Sequence, residues 1–237
     1  MRPLLAFLAA LVLAAPATAA SDKAEPAGPE RFRLVNRVHG DEVRWEWNEI
    51  TPDSITSAVD AAGGMRMWEF VIIPDAPLQS GRIEARVFSL REALDHPVAI
   101  RTAEHVGGEL RRTYTDLAGG KPPVVTSEPW PENAIFLPRG LLGYELVIRY
   151  AMAHDLKNMH FTWLDPLYAT EQGSLEFVDK QIVHFRFADT GDAVDELKVD
   201  GKGKITGGKM GLGGTLRRDK WLPMAERKRD PKFVPKP

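Results

Sequence analysis

The sequence predicts a mainly β protein: an antiparallel curved sheet or half-barrel meander with one central amphipathic helix (α+β). Three observations carry this. Several segments alternate strictly between apolar and polar residues, glycine-containing turns separate them, and a single stretch has helical rather than strand spacing.

The alternation begins at Arg31. Val43, Trp45 and Trp47 alternate with Arg44, Glu46 and Asn48, and Ile83, Ala85 and Val87 alternate with Arg82, Glu84 and Arg86. Val183, Phe185 and Phe187 flank His184 and Arg186, and Leu197 and Val199 flank Lys198. Period two puts one side of each run on a core and the other in water, the pattern of antiparallel strands. His39-Gly40-Asp41, Gln79-Ser80-Gly81, Val106-Gly107-Gly108 and Asp200-Gly201-Lys202-Gly203 supply turn chemistry between runs. Links this short argue against parallel crossovers, which need a dozen or more residues.

Between Leu141 and His154, Leu141, Tyr144, Ile148 and Met152 fall near helical spacing, which predicts one helix on or across the sheet. A helical turn is expected around Leu90–Leu94. The stretch Lys121–Asn133 holds Pro122, Pro123, Pro129 and Pro131 and reads as a long irregular connection.

The ends have their own signatures. Arg2, an apolar run from Leu4 to Ala15 and small residues at Ala17 and Ala19 predict a signal peptide over residues 1–20, cleaved near Ala19/Ala20. The run is too short for a membrane span. The expected organisation is therefore signal, a flexible leader over 21–30, a single β-rich domain over 31–221 with a sub-boundary near residue 125, and a basic, Pro-rich tail over 222–237. The mature chain is expected to be exported, periplasmic or extracellular, without a membrane span.

Composition narrows the chemistry. The 237 residues contain no cysteine, which excludes disulfides, thiolate metal sites and a cysteine nucleophile. With 31 basic and 33 acidic residues there is no basic excess to bind nucleic acid. H-E-x-x-H, G-x-S-x-G and S-x-x-K are missing from the sequence. The glycine-rich run Gly207–Gly214 lacks the Gly-Lys-Ser/Thr of a phosphate loop and reads as a glycine-kinked hairpin. No metal site and no cofactor are expected. Among the six histidines, His154 and His160, with Asp155, form the closest chemical group and would serve a hydrolase acting on envelope or extracellular polymers. Asp165 beside Trp163 and Glu128 near Trp130 are acids next to aromatics, as in sugar sites.

The C-terminal run from Glu196 to Ile205, with Asp200, Gly203 and Ile205 in an Asp-x-x-Gly-x-Ile pattern, precedes Leu216-Arg217-Arg218-Asp219. This resembles the closing hairpin of uncharacterised exported bacterial proteins, and the whole pattern is similar to periplasmic half-barrels of the lipoprotein-carrier type. The resemblance implies a sheet curved around a helix and an apolar, lipid-like ligand, with no residue roles attached. The first functional expectation is accordingly a non-catalytic binding or accessory protein, holding an apolar ligand or a segment of another envelope protein. Trp45, Trp47, Trp68, Tyr144 and Ile148 are the expected groove lining; the alternative to such a groove is that the aromatics are plain core.

Overall fold

Short turns force each strand to pair with its successor, and this chain follows that rule almost throughout. The computed structural model describes residues 28–61, 66–76, 78, 80–89, 96–138, 140–165 and 170–221. The signal, the leader as far as residue 27, the helical turn expected at Leu90–Leu94 and the tail over 222–237 lie outside the described residues.

The first half contributes β1 (Glu30–Val38), β2 (Asp41–Ile50), β3 (Ile55–Ala61), β4 (Arg66–Ala76), β5 (Ser80–Ser89), β6 (Ala99–Val106), β7 (Glu109–Asp116) and β8 (Val124–Pro129). The second half begins with β9 (Ala134–Phe136), α1 (Leu141–Ala153), β10 (Asn158–Leu164) and β11 (Glu171–Phe177). It ends with β12 (Ile182–Phe187), β13 (Asp195–Val199), β14 (Ile205–Met210) and β15 (Gly214–Asp219). All fifteen strands belong to one sheet. The first strand pairs with the last, Arg33 lying opposite Asp219, so the two halves of the chain extend in opposite directions from the β1/β15 seam. The sheet does not close, and β8 and β9 are its ends.

Two elements differ from the expectation. The proline-rich stretch expected to be irregular contains β8, bounded by Pro123 and Pro129. Proline is tolerated there because β8 is an edge strand, with no further ladder on its outer side. One pair is also parallel: β9 runs alongside β10, with Ala134 opposite Thr162. The connection between them is the only long one in this half and carries α1, so it forms a crossover of the kind parallel pairing requires.

The strands whose alternation was clearest behave as expected. On β5, Ile83 and Ala85 are fully buried while Arg82 and Arg86 are exposed. The main core draws on both halves of the chain, including Leu34, Ile83, Leu110, Phe161, Phe185, Leu197 and Leu216, packed with Val147, Ile148 and Ala151 of α1.

Burying a helix leaves its first N–H groups without water. Gly140, at the N-cap position, has no side chain with which to cap them. Glu46, from the middle of β2, does so instead: its carboxylate accepts from the N–H of Leu141 at 2.7 Å and of Leu142 at 2.8 Å, and is itself fully buried. Arg44 pairs with the same carboxylate at 2.7 Å. A Cβ at position 140 would stand 2.9 Å from the Glu46 carboxylate, so the absence of one permits the approach. Gly143 does the same for Trp163, whose ring would meet a Cβ at 2.5 Å and whose indole N–H donates to the Leu137 carbonyl at 2.9 Å.

Replacing Glu46 removes the acceptor from two buried N–H groups and a partner from Arg44. Glu46→Ala is expected to lower unfolding free energy by about 3–5 kcal/mol, read as a shift in urea midpoint. Glu46→Gln, which keeps one acceptor oxygen, should lose distinctly less; equal loss in the two variants would mean that volume, not the carboxylate, matters there.

Candidate functional site

Helix α1 fills the curve of the sheet without filling its ends. Near its C-terminal end lies a cavity of about 480 Å³, walled mainly by Ile55 of β3, Ile72 and Pro74 of β4, Leu78, Phe136 and Leu146, with Ser80, Arg149, Tyr150, Ala153 and His154 also on the wall. The volume falls in the range of about 300–1,000 Å³ usual for small-molecule sites, which are likewise mostly apolar with few polar groups. A second space, of about 300 Å³, adjoins the helix N-terminal end and is more polar, with Asn36, Arg44, Tyr144, Thr190 and Asp195 on its wall.

Charge organises the rim of the larger cavity. Glu145 of α1 is fully buried and takes three partners: Arg149 one turn on, the Arg218 guanidinium at 2.6 Å, and the Ile205 N–H at 2.9 Å. Arg149 also forks onto Glu30 at 2.9 and 3.0 Å, and Glu30 receives Lys204 at 2.8 Å and Arg218 at 3.1 Å. Burial works to raise the Glu30 carboxyl, but the hydrogen bonds and charges of Arg149 and Lys204 outweigh it and hold it at about 2, against 4.5 for an ordinary glutamate. Burial likewise works to lower the Arg149 guanidinium, and its two glutamate partners raise it.

The C-terminal hairpin residues meet at this network. The Asp200 carboxylate accepts from the backbone N–H of Lys202 at 2.8 Å and of Lys204 at 2.9 Å, and Gly203 takes the left-handed conformation at φ 75°. That turn delivers Lys204 to Glu30 and the Ile205 N–H to Glu145. Arg218 reaches in from β15 to the same two glutamates. The Asp-x-x-Gly-x-Ile and Arg-Arg-Asp segments therefore fasten the helix to the sheet as well as turning the chain.

The expected groove residues are dispersed. Trp45 and Trp47 lie on the face of β2 opposite Glu46, in a small separate cluster with Val35 and Ala58, their cross-strand partners. The Trp45 indole donates to Glu42 at 2.8 Å. Arg37–Glu42, Arg217–Asp219 and Arg33–Asp219 ion pairs lie on the neighbouring strands, at 2.7, 2.6 and 2.8 Å. Trp68 packs half-buried against the main core, with the Arg101 guanidinium 5.9 Å from its ring. Ile148 is fully buried in that core. Tyr144 packs against Trp163, Phe185 and Phe187, donates its hydroxyl to Asp195 at 2.6 Å and borders the smaller space. None of these five is on the wall of the larger cavity. Its lining residues carried no sequence signal beyond being apolar on strands and helix, because their common position depends on how far α1 extends across the sheet.

The histidine group is split between elements. His154 is the C-cap residue of α1, its Nδ1 2.8 Å from the Tyr150 carbonyl oxygen; Asp155 follows in the left-handed region at φ 53°; His160 points outward from β10. Among the described residues no group of three or more His, Asp and Glu side chains could hold a metal ion. Glu128 and Asp165 do come to one place, the seam between the sheet's two ends. There Arg112 donates to the Glu128 carboxylate at 2.5 Å and to the Asp165 carbonyl at 3.4 Å. No helix among the described residues is long and apolar enough to cross a membrane.

By sequence, no protein-family profile matches the chain. No curated protein matches it either. Among solved structures, the fold is similar to that of a DUF1089 family protein from Pseudomonas aeruginosa, at 14% identity and a TM-score of 0.48, covering 70% of this chain and 88% of that one. It is also similar to a beta-barrel-like protein of domain of unknown function DUF1849 from Brucella abortus, at 12% identity and a TM-score of 0.49, covering 82% of this chain and 98% of that one.

Two measurements check these placements. Trp47→Ala should destabilise the protein by about 3 kcal/mol or more, as loss of a buried Trp does, while leaving occupation of the cavity beside α1 intact; loss of occupation without loss of stability would put the ligand on the Trp47 face. The second concerns acid. The Glu30 pKa is lower in the folded than in the unfolded chain, so its stabilisation is present above pH 4.5 and is lost as pH falls from there towards 2. Asp219, held low by Arg217 and Arg33 against the opposing effect of burial, acts in the same direction. Chemical denaturation between pH 5 and pH 2 should thus show a shallower loss of stability in Glu30→Gln than in the wild type, and parallel slopes would contradict the role of the Glu30 pairs.

Proposed function

We propose that this protein is an exported, non-catalytic binding module of the cell envelope that holds an apolar ligand in the cavity beside the C-terminal end of α1. The observation that carries this reading is the cavity itself: about 480 Å³, enclosed largely by aliphatic and aromatic side chains. A core that had merely packed imperfectly would leave voids little larger than a water molecule. The polar groups on the wall are few and gathered at the end of the helix, as in sites where an apolar body is buried and a polar end stays near water. The N-terminal signal pattern supports an envelope location. The resemblance to lipoprotein carriers agrees in kind, since those too enclose an apolar ligand between a curved sheet and a helix.

The test is mass spectrometry of the mature chain purified gently from its own envelope, under native and then denaturing conditions. A lipid-sized adduct is expected that disappears on denaturation. Ala153→Trp places an indole at an exposed position on the cavity wall, where it should fill the space with little effect on folding. The adduct is expected to be missing in that variant. An adduct retained undiminished in a folded Ala153→Trp protein would remove the cavity as the binding site.

A further inference from the structure

The larger cavity also constrains the chemistry of its occupant, on the reading that it is a binding site. Arg149 carries the one fixed charge on its wall. Both of its terminal nitrogens are engaged: Nη1 and Nη2 fork onto Glu30 at 2.9 and 3.0 Å, and Nη2 also meets Glu145. The surrounding charges are matched, with Arg149, Arg218 and Lys204 distributed over Glu30 and Glu145 and the nearby Asp200. A carboxylate or phosphate entering the cavity would gain Arg149 only by displacing one of these glutamates. Glu145 is fully buried, and a carboxylate deprived of a partner there would have no water to replace it. Recognition by charge is therefore closed.

A hydrogen bond remains available. The His154 Nδ1 lies 2.8 Å from the Tyr150 carbonyl oxygen. That oxygen can only accept, so the neutral imidazole carries its proton on Nδ1 and leaves Nε2 as an acceptor. An acceptor suits a ligand hydroxyl and repels a carboxylate. Volume sets the size: at ~30 Å³ for each water-sized group, the cavity of about 480 Å³ takes on the order of fifteen heavy atoms. One hydrocarbon chain fits this measure, and a two-chain phospholipid does not.

We infer that the ligand is a single hydrocarbon chain of on the order of fifteen heavy atoms ending in an uncharged hydroxyl group, as in a long-chain alcohol or a monoacylglycerol. The wild-type protein is titrated with the uncharged fluorophore N-phenylnaphthylamine at about pH 8, where imidazoles are as a rule neutral. The dye is then displaced with tetradecanol, monododecanoylglycerol, tetradecanoate or phosphatidylglycerol vesicles. Tetradecanol should displace it at a concentration about ten-fold or more below that of tetradecanoate, and the vesicles should not displace it. Stronger displacement by monododecanoylglycerol than by tetradecanol would place the source among glycerolipids; the reverse order points to free alcohols. His154→Phe should narrow the preference for alcohol over carboxylate while the dye still binds. Tetradecanoate equal to tetradecanol, effective displacement by the vesicles, or an unchanged preference in His154→Phe would each overturn the inference and leave the binding function standing. Dye that fails to bind, or binds Ala153→Trp as well as wild type, would overturn the binding function itself and the ligand class with it.

Discussion

The structure depends on the pairing of one buried carboxylate with one helix end. A helix enclosed by a sheet cannot leave its first N–H groups to water, and the local sequence, Pro138 to Gly140, has no side chain able to accept from them. Glu46 solves this from 95 residues away. The solution sets the orientation of β2: with Glu46 turned toward α1, Trp45 and Trp47 must face the other way. The aromatic cluster with Val35 and Ala58 on the far side of the sheet follows from where the helix needs its acceptor.

The same logic governs the middle of the helix. Glu145 would be costly at a fully buried position on its own, and its three partners come from α1, β14 and β15. Such a network need add little net stability over an apolar equivalent, but its geometry is exacting. A register slip of one residue in β15 would turn Arg218 to the opposite face and leave Glu145 and Glu30 each short of a partner. Two buried glutamates, one at the first turn and one a turn later, thus fix where α1 sits along the sheet, and so how much room remains at its ends.

Periodicity made the strands legible and left their facing undetermined. On β5 and β12 the apolar residues are the core residues, and reading one gave the other. On β2 both faces are buried, one by α1 and one by the tryptophan cluster, so apolar character did not identify the inner side. The aromatic residues expected to line a groove were conspicuous because they are large, and in this fold size was spent on packing. The wall of the cavity consists of ordinary aliphatic residues from four separate strands and a helix, and only their meeting in space sets them apart. The prolines around Val124–Pro129 misled for a related reason: they mark an edge strand as readily as a loop, and one sequence does not say how many strands lie beyond it.

The cavity is the remaining consequence. If a volume of about 480 Å³ lined by apolar side chains were closed and dry, the penalty of about 24 cal/mol per Å³ measured for core cavities would come to roughly 11 kcal/mol. That is as large as the whole stability of a typical domain, about 5–15 kcal/mol. An empty, sealed space of this size is therefore not a resting state that the fold can sustain. It must admit water or hold something. Water would meet a wall on which Ser80, Tyr150 and His154 offer hydrogen bonds at one end and aliphatic carbon covers most of the rest. An apolar chain would release that water while leaving the matched ion pairs around Arg149 undisturbed. The two glutamates that position α1 hold the helix back from collapsing into the space, which is what allows the wall to stay apolar and the cavity to stay open.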